Sequence, residues 1–203
     1  MNERWRGGEA HGFIFDLDGT LTRAQHDFDA IRAALGIPKG RLILEYIAEQ
    51  TAARATKMRQ DLDAIEVALA HKAVAAHGAH NLLNRLYALG HPIGILTRNS
   101  RDNALAALKS IGALELFPNG CVLGRDEAPP KPLPDGLHML FAQWQLPAVR
   151  CTMIGDSRLD VQAGRAAGCY TVHVNRANER WPDHTDLHVP HLQRLADHLA
   201  AEI

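Results

Sequence analysis

Five short, mainly apolar runs, each followed by a polar or small residue, constrain this chain more than any other feature. They are Phe13-Ile14-Phe15, Ile93-Gly94-Ile95-Leu96, Cys121-Val122-Leu123, Cys151-Thr152-Met153-Ile154 and Tyr170-Thr171-Val172-His173-Val174. A strand with one wet face alternates apolar and polar side chains, whereas a run without alternation suits a strand covered on both faces, as in a parallel sheet. Between the runs, apolar residues recur every three or four positions. Leu82, Leu83, Leu86 and Leu89 make a helical face that stops at Gly90; Leu105, Leu108 and Ile111 stop at Gly112; Leu137, Leu140, Phe141 and Trp144 stop before Pro147. Strand and helix in alternation predict an α/β fold with a doubly wound, Rossmann-like parallel sheet.

The interval from residue 16 to residue 92 is longer than one crossover helix requires. Within it, Phe28, Ile31 and Leu35 describe a short helix ended at Gly36. Pro38 is expected to open a second helix carrying Leu42 and Tyr46, and Ala55, Met58, Leu62, Ile65 and Leu69 repeat along a long third one. Residues 23–78 are therefore expected to form a small all-helical module inserted into a core built from residues 1–22 and 79–203. The apolar stripe of this module reads as bundle core rather than as a ligand groove.

Charge narrows the partners. The chain has 22 Lys plus Arg against 23 Asp plus Glu, a net charge of −1, so it lacks the basic surplus that binding to nucleic acid or an anionic membrane requires. No apolar stretch is long enough to span a bilayer, and Met1 to Gly8 lacks the apolar run of a signal peptide, which predicts a cytoplasmic protein. Cys121, Cys151 and Cys169 match no zinc or redox spacing and read as reduced thiols in or near the core. His71, His77 and His80 do not share one helical face, so they are not expected to form a metal site.

In an open parallel sheet, ligands collect beyond the carboxyl ends of the strands. The first run is followed by Asp16-Leu17-Asp18-Gly19-Thr20, the second by Thr97-Arg98-Asn99, the third by a proline-flanked loop with Lys131, and the fourth by Gly155-Asp156-Ser157 with Asp160 beyond. Each has an ordinary alternative: an Asx turn for Asp16 to Gly19, a strand-end hydroxyl for Thr97, a solvated charge for Lys131, a helix N-cap for Asp156. Their convergence on one edge is harder to explain so, because two like charges ~4 Å apart repel by about 4 kcal/mol at an effective dielectric of about 20. A divalent cation removes that repulsion. The oxygen donors Asp16 and Asp156, with Asp160 as an additional candidate, suit Mg²⁺. Asp16 is then placed to act as a nucleophile and Asp18, two residues on, as general acid and base, while Thr97 and Lys131 hold phosphoryl oxygens. For Arg23, His26, Arg98 and Asn99, solvated or capping roles are expected, with substrate contact as the alternative.

The stretches Asp16-Leu17-Asp18-Gly19-Thr20-Leu21-Thr22, Ile95-Leu96-Thr97-Arg98-Asn99, Lys131-Pro132-Leu133-Pro134 and Gly155-Asp156-Ser157-Arg158-Leu159-Asp160, in this order, resemble the four motifs of the haloacid dehalogenase superfamily. The resemblance extends over about residues 11–200 and includes Ala166-Ala167-Gly168 and Thr185-Asp186-Leu187. It implies a Mg²⁺-dependent hydrolase of the phosphoglycolate-phosphatase-like branch, with a helical cap after the first motif and a small phosphorylated metabolite as substrate. By this resemblance Asp16 would carry the phosphoryl group, Asp18 would be the acid and base, and Thr97 and Lys131 would hold the phosphate. Asp16, Asp156 and the main-chain carbonyl of Asp18 would bind the metal, with Asp160 behind them or on a metal-bound water. Because the dehalogenases of the family lack the second aspartate, Asp18 points to phosphoryl rather than carbon–halogen chemistry. Thr22-Arg23-Ala24 stands where the branch commonly has an Asp-Ser pair, and the cap is shorter than usual, so the substrate stays open. A sugar phosphomutase of the same family is one alternative. A phospho-accepting signalling module is another, although there the acceptor follows the third strand.

Overall fold

The computed structural model describes residues 7–24, 27–175 and 180–201. Strands β1 (Gly12–Phe15), β2 (Ile93–Leu96), β3 (Val122–Leu123), β4 (Cys151–Gly155), β5 (Tyr170–Val174) and β6 (Leu187–Val189) form one parallel sheet in the order β3-β2-β1-β4-β5-β6. Every residue of β1, β2 and β4 is buried, which is why these strands show no alternation in sequence. Successive side chains still point to opposite faces. Phe13 and Phe15 pack with Leu82, Leu83, Leu108 and Leu195 on one face, and Ile14 packs with Met153, Leu137 and Leu140 on the other. The helices that cover these faces are α4 (Ala79–Ala88), α5 (Arg101–Ser110), α6 (Asp135–Trp144), α7 (Arg158–Ala167) and α8 (Leu192–Ala201). None of the described helices is long and apolar enough to cross a membrane.

Register decides where the chemistry can sit. Phe15 lies level with Ile95 on one side and with Ile154 on the other, so the chain leaves β1, β2 and β4 at the same height. The strand order reverses direction at β1, and the crevice of a doubly wound sheet opens at that reversal.

Helices α1 (Phe28–Ala34), α2 (Ile43–Ala48) and α3 (Ala52–Ala70) lie between β1 and α4, and share an apolar cluster of their own that includes Ile31, Ile47, Met58 and Leu62. The chain enters and leaves this module through a paired neck, where Arg23 N donates to Val74 O at 2.8 Å and Ala76 N donates to Leu21 O at 2.8 Å. Pro38 does not open the second helix. Gly40 turns the chain in the left-handed region, φ +81°, and α2 begins only at Ile43. On α3 the buried face runs Ala55, Met58, Leu62, Glu66 and Ala70, with Ile65 half-buried against the same apolar cluster, so a carboxylate shares the expected apolar stripe.

Gly78, which caps the start of α4 with φ +85°, lies so close to α8 that an added Cβ would stand 2.1 Å from the Gln193 main-chain nitrogen. Neither the backbone angle nor the neighbour can yield easily. Gly78→Ala should lower unfolding stability by on the order of 3 kcal/mol, read as a shifted denaturant midpoint; an unchanged midpoint would contradict this packing.

Candidate active site

Asp16 extends β1 by one ladder bond, its N–H donating to Ile154 O at 2.8 Å, so its side chain clears the sheet edge. The chain then tightens into a loop in which the Leu17 carbonyl accepts from Thr22 N at 2.9 Å, with Leu17 and Leu21 buried as anchors. Gly19 takes φ +95° there, and an added Cβ would lie 2.3 Å from Asp156 Oδ2. Only a glycine lets the first loop approach the fourth strand end this closely.

The other expected residues arrive from their own strands. Thr97 follows β2, its N–H bonded to Leu123 O at 3.0 Å and its hydroxyl accepting from Asn99 N at 3.1 Å. Asn99 donates from Nδ2 to Asp18 Oδ2 at 3.1 Å, and its own carbonyl oxygen accepts from Ser100 N and Asn103 Nδ2, which fixes which end of the amide faces Asp18. Lys131, 2 % exposed, places Nζ 2.6 Å from Asp16 Oδ1 and 2.5 Å from Asp160 Oδ1. The second oxygen of Asp160 accepts from Ser157 N at 2.9 Å and Ser157 Oγ at 2.6 Å, making a capping box at the start of α7. Ser157, not Asp156, is the N-cap, which leaves the Asp156 carboxylate facing the cavity.

Carboxylate oxygens of Asp16, Asp156 and Asp160 lie within 4.8 Å of one another. Burial pushes the Asp16 carboxyl up to about 7, with Asp160 and Asp18 adding to the rise and Lys131 opposing it. Burial, then Asp16 and Asp160, push Asp156 up to about 8. Burial disfavours the charge of Lys131, yet Asp16 and Asp160 outweigh it and hold the ammonium above its ordinary value. Negative charge thus exceeds what one lysine neutralises. Lys131 serves Asp16 and Asp160, whereas Asp156 receives the Thr20 hydroxyl at 3.5 Å. A hard divalent cation fits this donor set in charge and in ligand type.

Two features were not legible in the sequence. His173, fully buried in β5, meets the Asp156 carbonyl oxygen at 3.1 Å; burial pushes its pKa down to about 4, so the neutral ring bonds there. The helical module is also latched to the core by two arginines. Arg98 Nη2 donates to both Glu45 oxygens, at 3.0 and 2.7 Å, while its Nη1 donates to the Lys131 carbonyl. Arg125 bonds Glu66 at 2.7 Å and also Asp63. A charged residue four positions after Leu62, in line with an apolar stripe, was the available signal for Glu66. Of the flanking candidates, Arg98 and Asn99 line the cavity, Arg23 sits in the neck, and His26 lies outside the described residues.

Burial pushes the Glu66 carboxyl up to about 7, with Arg125 opposing and Asp63 and Asp18 reinforcing the rise. A carboxyl whose pKa is raised in the fold binds its proton more tightly there than in the unfolded chain. Its stability contribution is complete below its ordinary value of 4.5 and is lost as pH rises through about 7. Denaturant midpoints at acid and alkaline ends of that window should therefore show a pH slope that Glu66→Gln flattens; an unaltered slope would contradict the assignment. Arg125→Ala, which strands Glu66, should cost roughly 2 kcal/mol, and adding Glu66→Gln should restore part of it.

The site opens into a cavity of about 260 Å³ with Asp16, Asp18, Thr97, Lys131 and Asp156 on its floor and α1, α2 and α3 over it. Residues 10–168 match the family model described as haloacid dehalogenase-like hydrolase. The chain is 30% identical to an uncharacterized hydrolase of Saccharomyces cerevisiae over 80% of this chain and 78% of that protein. It is 30% identical to the phosphoglycolate phosphatase of Aliivibrio fischeri over 77% of this chain and 80% of that enzyme. A crystal structure of a hydrolase from Pseudomonas syringae superposes with a TM-score of 0.78 at 24% identity, covering 94% of this chain and 98% of that one.

Proposed function

Because the chain belongs to the haloacid dehalogenase-like hydrolases, we propose that it is a Mg²⁺-dependent phosphatase that hydrolyses a small phosphomonoester through an aspartyl-phosphate on Asp16. The observation that carries this is the Asp16 carboxylate, held 2.6 Å from a buried ammonium in one cavity with Asp18 and Thr97. Phosphatase relatives of similar length support the reaction class.

An Asp16 oxygen attacks phosphorus, the bond to the ester oxygen breaks, and Asp18 gives that oxygen its proton. Asp18, now a carboxylate, takes a proton from water as the water attacks the same phosphorus, which releases inorganic phosphate and restores Asp16. Thr97 and Lys131 hold the phosphoryl oxygens, Asn99 keeps Asp18 turned to the cavity, and Asp160 positions Lys131. Asp16, Asp156 and the main-chain carbonyl of Asp18 would hold Mg²⁺, which supplies charge neutralisation at the phosphate and among the carboxylates. In this account residues 1–22 and 79–203 are the catalytic core, and residues 23–78 are a cap that excludes bulk water. Three unpaired, buried cysteines are in keeping with a reducing compartment such as the cytoplasm.

Incubation of the purified protein with Mg²⁺ and a panel of phosphorylated metabolites should release inorganic phosphate from at least one, and a chelator should stop it. No release from any member, including an aryl phosphate, would overturn the assignment.

A further inference from the structure

The cavity has two unlike halves. The floor carries Asp16, Asp18, Lys131 and Asp156, whereas the cap lines the cavity mainly with Phe28, Ile31, Leu42, Ile43, Leu44 and Leu62, and adds only Arg32 and Glu66 as charged groups among the described residues. Phe28 is 51% and Leu42 41% exposed, and both of these large apolar side chains stand at the cavity. An apolar cavity wall suits a ligand with an apolar part.

The remaining ionic groups along the wall are already engaged. Arg32 donates to Asp29 at 2.7 Å and to the Arg41 carbonyl at 2.9 Å. Arg98 is shared between Glu45 and the Lys131 carbonyl, and Glu66 is bonded to Arg125. Lys131 holds Asp16 and Asp160. A second anionic group on the substrate, carried up toward the cap, would lose its hydration against apolar carbon and, among the described residues, would meet only arginines that already hold carboxylates. Receiving it on Arg98 would mean breaking a hydrogen-bonded ion pair that also latches the cap.

We infer that the substrates are phosphomonoesters whose organic part is apolar or uncharged, and that the cap discriminates against a carboxylate such as that of phosphoglycolate. This rests on the phosphatase chemistry of Asp16 and adds to it the identity of the leaving alcohol. Leu42, exposed at the cavity just ahead of α2, is the specificity-determining position through which the preference can be altered.

Binding separates this inference from turnover. In the presence of Mg²⁺, calorimetry with n-butylphosphonate and with phosphonopropanoate, which is similar in size but ends in a carboxylate, should give at least about tenfold tighter binding of the alkyl compound. Kinetics should follow, with n-propyl phosphate showing the lower KM against phosphoglycolate. Leu42→Arg should narrow or reverse both preferences. Equal or tighter binding of phosphonopropanoate by the unaltered protein, or preferences that Leu42→Arg leaves in place, would overturn the substrate class while the phosphatase chemistry stands. Failure to release phosphate from any ester would refute that chemistry, and the substrate class with it.

Discussion

Asp16→Asn should reduce Mg²⁺-dependent phosphate release by on the order of 10⁴-fold while leaving the fold intact. The amide matches the carboxylate in shape but offers no anionic oxygen to attack phosphorus, so an interaction needed in every turnover disappears. Folding should survive for a reason visible in the pairing. Lys131 keeps Asp160 at 2.5 Å after the change, so no buried ammonium is stranded. Burial already pushes the Asp16 carboxyl up to about 7, so a neutral side chain suits that position. Phosphate release and thermal melting on the same preparation check both halves; substantial retained turnover would remove Asp16 from the mechanism.

Lys131→Met should do the opposite to the fold. The ammonium is 2 % exposed and bonds two carboxylates, Asp16 at 2.6 Å and Asp160 at 2.5 Å. Methionine keeps much of the length but none of the charge, leaving both acids buried beside Asp156. Breaking a buried pair from one side costs about 3–5 kcal/mol, and losing a phosphoryl-holding donor should lower kcat by about 10²-fold or more. Urea unfolding should show the stability loss. Lys131→Met combined with Asp160→Asn should regain part of the stability but none of the activity, since one stranded acid is neutralised while the donor stays absent. A single variant as stable as the unaltered protein would show that Lys131 does not neutralise these acids.

What the sequence showed and what it hid divide along physical lines. Strands β1 to β5 are short, mainly apolar runs because both of their faces are covered, and that pattern is local. Strand β6, Leu187–Val189, is three residues long with a half-exposed His188 between two buried neighbours, too short for any period to register. Asp16, Thr97 and Asp156 were legible because each directly follows a strand and parallel register brings strand ends level, while Lys131 and Asp160 stand further on, in the loop after β3 and in the first turn of α7. Three-dimensional pairing was not legible. Arg98 read as a solvated or capping residue with substrate contact as the alternative, and Arg125 carried no local signal; their roles depend on Glu45 and Glu66, carried by helices far away in the chain. The side chain of Asn99 likewise gains its meaning only from Asp18, reached across the sheet edge.

The covalent step is the central claim, and it can be trapped. Acid quenching of the protein during turnover of a reactive ester with Mg²⁺, followed by peptide mapping, should show the mass of one phosphoryl group on the peptide containing Asp16, removable by hydroxylamine and absent from Asp16→Asn. Rapid turnover with an unmodified Asp16 peptide at every quench time, or a phosphoryl group on another residue, would contradict the mechanism.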